Sequence, residues 1–200
     1  MRSVVIALLA AALPLAAQQG PAPDSLVTVT ATGVGAVFKA PARWHVIQQE
    51  KTDSAAVFVY HIRNAATDSN SDDRTNVLVI IARARMPRDF KAFTDTLMGP
   101  QFDKSTVVLG DTMWTPDRRT IFWRAERKGT PYAGYDHLSR NGSRWVHVRF
   151  VMPVVKDSPP EWAQQTLIDV NAMMASIRVG GQSFFGPQTQ RSTGQGTPPR

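Results

Sequence analysis

Two hundred residues with 42% hydrophobic and 20% charged positions describe a chain long enough for one sizeable core. Its formal charge of +7 is spread along the chain without a basic run, which excludes a polybasic nucleic-acid arm and leaves a solvated surface as the simplest reading. No cysteine occurs, so disulfides and thiolate metal sites are ruled out and stability has to come from packing.

At the N-terminus, Arg2 precedes the apolar run from Val4 to Leu13, then Pro14-Leu15-Ala16-Ala17, then polar Gln18. That order predicts a signal peptide over 1–17, cleaved after Ala17. The apolar run is shorter than the roughly 20 residues that a spanning helix needs, and no lipid-anchor cysteine follows it. The expected address is therefore periplasmic or secreted, with no stable membrane insertion after cleavage and a mature charge of about +6. Residues 18–25 read as a linker, 26–179 as one folded domain, and 180–200 as a disordered Gly/Gln/Pro-rich tail in which Phe184-Phe185 offers a local foothold.

Within the domain, "LVTVTATG" and "VGAVFKAP" predict short strands, and "SAAVFVYHIR" and "TNVLVIIARAR" predict longer ones joined by a polar loop from Asn64 to Arg74. "PRDFKAFTDTLMGP" predicts a helix, with Phe90, Phe93 and Leu97 on one face and a stop at Gly99-Pro100. "SPPEWAQQTLIDVNAMMASIRV" predicts a second one. Ser158 is its N-cap, Pro159 its first position and Glu161 its capping-box acid, while Ala163, Leu167, Val170, Met174 and Ile177 form an apolar stripe.

Between these helices, Lys128-Gly129 and Asn141-Gly142 punctuate three alternating runs, 120–127, 130–140 and 143–152. Two-residue turns fix register, so Trp123 should face Gly134, Ile121 should face Asp136, Gly134 should face Arg149, and Asp136 should face His147. One face of this meander then carries Ile121, Trp123, Tyr132, Asp136, Leu138, Trp145, His147, Arg149 and Val151. The other carries Phe122, Tyr135, Val146, Val148, Phe150 and Met152. A sheet with a wet side shows polar residues there, whereas both faces here hold large side chains. The predicted class is α+β, an antiparallel sheet flanked by helices on both faces in an α/β/α sandwich.

Candidate chemistry is sparse. Asp136 and His147 are the types that could orient a general base, but no nucleophile is placed beside them, so no catalytic residue is assigned. A register-fixing charge pair explains them as well. Trp123, Asp136, Trp145, His147 and Arg149 together make a candidate ligand-binding surface if the face is open, with Arg149 expected to lie over the Trp123 indole beside Gly134. Asp68 to Asp73 imitates the start of a calcium loop but has Asp73 where the turn needs glycine and Val79 where a carboxylate is needed. His45, His61, His137 and His147 lack zinc-ligand spacing, and no phosphate-loop, dinucleotide or nucleophile-elbow motif occurs, so no metal or cofactor is assigned.

"VFKAPARWHV", with Phe38, Pro41 and Trp44 in a Phe-x-x-Pro-x-x-Trp entry, resembles the start of PsbP-like proteins and the related Mog-like proteins over about Val34 to Val179. Arg43 departs from the glycine usual before that tryptophan. The resemblance implies an α/β/α sandwich and an accessory role rather than catalysis. The functional expectation is an exported non-enzymatic accessory or binding module acting on a protein or envelope component. The alternative is a metal-independent hydrolase or isomerase using Asp136 and His147 in a partly open groove. A third reading is polyanion binding through Arg124, Arg144 and Arg149, which would weaken with salt.

Overall fold

β-branched and aromatic runs become strands almost throughout the computed structural model, which describes residues 25–63, 75–83, 89–98, 105–154 and 160–185. In chain order they are β1 (Leu26–Ala31), β2 (Ala36–Pro41), β3 (His45–Lys51), β4 (Ala55–Ile62) and β5 (Thr75–Arg83). Helix α1 (Phe90–Met98), β6 (Val107–Thr115), β7 (Arg118–Arg127), β8 (Thr130–Asn141) and β9 (Arg144–Pro153) follow. Helix α2 (Pro160–Ser176), β10 (Arg178–Val179) and β11 (Gln182–Ser183) complete the described elements. The acidic loop at Asp68 to Asp73, the cap residues Ser158 and Pro159, residues 1–17 and most of the C-terminal tail lie outside the described residues.

The strands form two antiparallel sheets. One has seven strands in the order β3-β4-β5-β9-β8-β7-β6, and the other has four in the order β1-β2-β10-β11. This corrects the α/β/α expectation. The aromatic residues on both faces of the meander do need cover, but one face is covered chiefly by a second sheet. Strand β2 lays Phe38 edge-on against Phe58, with ring centres 5.2 Å apart, and α2 fills the same layer with Val170, Met173 and Met174, joined by Ile177 just past its end. Each such side chain contributes about 1.5–3 kcal/mol by leaving water. Among the described residues, the other face carries α1, nine residues long, whose Phe90 packs with Ile121 and Leu138. Asp89 caps that helix by accepting from Ala92 N–H at 3.0 Å.

The predicted apolar stripe of α2 is narrower than the pattern suggested. Val170, Met174 and Ile177 are buried, but Leu167 is 37% exposed and Met173 takes its place. The chain also continues to fold beyond Val179. Gly180 and Gly181, both at positive φ, make the turn between β10 and β11, and Phe184 is buried, its carbonyl accepting from Arg118 and Ser139.

Register separates the two hairpins of the meander. Lys128 and Gly129 both have positive φ, and Arg127↔Thr130, Trp123↔Gly134 and Ile121↔Asp136 pair as expected. At the second hairpin the turn is Gly142-Ser143, flanked by Asn141↔Arg144, so Asp136 faces Arg149 and His147 faces Leu138. Among the turn residues only Gly142 has positive φ, at 59°, which fits a type II′ turn with glycine first instead of the type I′ turn expected for Asn-Gly. The pairing moves by two residues, which leaves every side chain on its expected face.

Candidate functional site

The register shift brings the predicted cluster closer together. Asp136 sits in the middle of β8, fully buried. Its Oδ1 accepts from Arg149 Nε at 2.6 Å and pairs with His147 Nε2 at 2.5 Å, while Oδ2 accepts from Trp123 Nε1 at 2.8 Å. Arg149 therefore pairs with the carboxylate and does not lie opposite Gly134. Gly134 nonetheless makes room for the indole, because a Cβ there would lie 2.5 Å from Trp123 Cζ2 and 2.6 Å from the Phe150 carbonyl. Of the five candidate ligand-binding residues, four meet. Trp145 instead packs edge-on against Phe93 of α1, with centres 5.6 Å apart.

Burial alone would raise the Asp136 carboxyl, but hydrogen bonds and charge from His147 and Arg149 outweigh it and hold it below the ordinary carboxylate range. An ionised carboxylate only accepts, so His147 donates from Nε2, and its buried Nδ1 has no hydrogen-bond partner. His147 is 1% exposed and Trp123 6%. A general base must reach the proton that it removes, and this imidazole is spent on a carboxylate inside the protein. The quartet has the composition of a register lock in the middle of a sheet.

A second cluster, which the sequence did not flag, anchors α1. Arg119 is buried on β7. It donates through Nε and a terminal nitrogen to Asp111 of β6 at 2.8 and 2.6 Å, and through its other terminal nitrogen to Asp95 at 2.6 Å and to Thr94. The hydrogen bonds from Arg119 hold the Asp111 carboxyl below its usual range. The bidentate geometry ties helix, edge strand and sheet together. The polyanion reading loses its geometry as well. Arg149 is buried against Asp136, and Arg144, on the opposite face of β9, lies against Gly180.

The surface that the sequence missed is strand β6, an edge of the seven-stranded sheet among the described residues. Its pairing with β7 skips twice, between Val108 and Gly110 and between Met113 and Thr115, so Leu109 and Trp114 are bulged residues. A bulge re-aims its side chain. Leu109 is 61% exposed and Trp114 49%, with Val108 and Met113 exposed beside them. Trp114 is held in place by its indole N–H, which donates to Thr120 Oγ1 at 2.8 Å, and Thr120 in turn bonds His137 Nδ1 at 2.7 Å. A run of "VVLGDTMWT" carries no strict alternation, which is the trace that two bulges leave in a sequence.

Among the described residues, no three His, Asp or Glu side chains converge to hold a metal, and no helix is long and apolar enough to cross a membrane. No family model matches the chain, so none for PsbP-like or Mog-like proteins does, and no curated protein is similar to it. Two solved structures are distantly similar. LpqN of Mycobacterium tuberculosis, described as involved in cell envelope biogenesis, aligns with a TM-score of 0.41 at 10% identity over 79% of this chain and 86% of its own. A Bacteroides thetaiotaomicron protein aligns with a TM-score of 0.38 at 13% identity over 74% of this chain, which spans 46% of that protein's length. Both are distant, low-identity, β-rich neighbours, and scores this low establish no shared family.

Proposed function

We propose that this chain is an exported non-enzymatic binding module that docks a protein partner of the envelope along strand β6. The observation that carries the reading is the contrast between the sealed Asp136–His147 pair and the bulged, half-exposed pair Leu109 and Trp114. Tryptophan held by one hydrogen bond, with about half of its surface exposed, is the type of side chain that dominates protein interfaces. The two bulges also break the free backbone ladder of β6 into short pieces, which disfavours long strand addition and self-aggregation. Recognition therefore runs through side chains, and the partner presents apolar surface to the β6 edge at the bulged residues Leu109 and Trp114.

The test is affinity capture from an envelope fraction by the chain starting at Gln18. The wild type, a Leu109→Lys/Trp114→Lys double variant and a Gln49→Lys variant on the opposite edge strand β3 are compared. The expected result is one partner retained by the wild type and Gln49→Lys and lost by the double variant. Equal capture by all three contradicts the reading, and so does recovery of a second copy of the chain alone.

A further inference from the structure

Away from β6, the Phe38-x-x-Pro41-x-x-Trp44 entry builds a second surface. Trp44 N–H donates to the Pro41 carbonyl at 3.0 Å, closing a tight turn that buries Trp44 and leaves Arg43 outside. Arg43 is ion-paired with Asp169 of α2. Across from it, β3 starts at His45, opposite His61 of β4, and β4 ends at Ile62, followed by Arg63. Trp162 of α2 donates to the Arg63 carbonyl at 3.1 Å and fixes that backbone. Together Ala42, Arg43, His45, Ile62 and Arg63 line a cleft of about 380 Å³, a volume within the range of small-ligand sites.

The two arginines of this cleft are held differently. An arginine can only donate, so His45 Nε2 accepts from Arg63 at 3.4 Å, and that imidazole orients the guanidinium without neutralising it. Among the described residues Arg63 has no carboxylate partner, whereas Arg43 is paired with Asp169. Cationic donors stand here on a turn and on the end of a strand, while Ile62 and Ala42 supply an apolar wall. A tetrahedral oxyanion offers oxygens to donors converging from different directions, which a planar carboxylate does less well.

We propose that this cleft binds a phosphate-type oxyanion carried on a small apolar group, with Arg63 and Arg43 as its donors and Ile62 as its apolar contact. The site is separate from β6, so its failure leaves the docking reading intact. The test is an NMR titration of the Trp162 indole N–H at fixed ionic strength with butyl phosphate, with butyrate and with chloride. The expected result is a saturable shift with butyl phosphate that weakens about tenfold or more in Arg63→Gln, as loss of a charged hydrogen bond predicts, and persists in Arg127→Gln. Butyrate binding as tightly as butyl phosphate overturns the phosphate assignment. A second arm sediments the chain with vesicles of phosphatidylglycerol or phosphatidylcholine. Phosphatidylglycerol binding that Arg63→Gln abolishes, without butyl phosphate binding, assigns the oxyanion to a lipid headgroup. Binding that survives Arg63→Gln in both arms, or no binding in either, overturns the proposal.

Discussion

The centre and the rim of the seven-stranded sheet handle their side chains in opposite ways. At the centre, Asp136, His147, Arg149 and Trp123 are polar or charged, yet they are buried and bonded to one another. At the rim, Leu109, Met113 and Trp114 are apolar, yet they face water. Burying an ion pair costs desolvation that its own attraction only partly returns, so such a cluster serves to fix one arrangement of strands. Exposing apolar side chains on an edge strand costs solubility, so the rim is where a partner is to be sought. On the proposed reading, the chemically suggestive residues of this protein are its scaffold and the bland ones its surface of contact.

The largest effect that can break this contrast is at the centre. Asp136→Ala leaves a buried guanidinium without its carboxylate and should cost about 3–5 kcal/mol in urea unfolding; a loss below about 1 kcal/mol, the scale of an exposed pair, would mean that the quartet is not sealed. Acid comes next. Burial, aided by Arg118, pushes His137 down to about 4, against 6.5 when free. Between these values the unfolded chain takes up a proton that the folded one refuses, so stability is full above about pH 6.5 and falls as pH drops toward 4, by about 3 kcal/mol in all. The depressed Asp136 carboxyl acts in the same direction at lower pH. Unfolding measured at pH 7 and pH 5 should show the loss, and His137→Asn should flatten it.

Gly134→Ala sharpens the contrast further. The added methyl meets the Trp123 ring and the Phe150 carbonyl, so it should cost about 1–3 kcal/mol while leaving partner capture intact in the folded fraction. The smallest stability effect belongs to the rim. Leu109→Lys is a surface change that should move stability by no more than about 0.5 kcal/mol and still abolish partner capture. The reverse ordering, with Leu109→Lys destabilising and Gly134→Ala neutral, would invert the assignment of scaffold and surface.

Much of the scaffold was legible in the sequence. Lys128-Gly129 set the β7–β8 register correctly because both turn positions accept positive φ. Asn141-Gly142 misled by two residues because a glycine serves the first position of a type II′ turn as well as the second of a type I′ turn, and local sequence does not choose between them. The quartet was found despite that error, since a shift of two keeps the face. The second sheet was not foreseen, because the signal for joining β1 and β2 to β10 lies in pairings such as Val179↔Ala36, far apart in sequence. Strand β6 escaped for a local reason. Its bulges at Leu109 and Trp114 erase the alternation by which strands are recognised. The cleft at Arg43 and Arg63 is assembled from a turn, the start of one strand and the end of another, and no spacing announces it.

The most direct test of the docking claim is site-specific photo-crosslinking in intact cells, with a photoreactive phenylalanine at position 109 on β6 or at position 49 on β3. The account predicts one heterologous adduct from position 109, lost when Trp114→Lys is added, and none from position 49. Equal adducts from both edges, no adduct from position 109, or an adduct of twice the chain's own mass would contradict it.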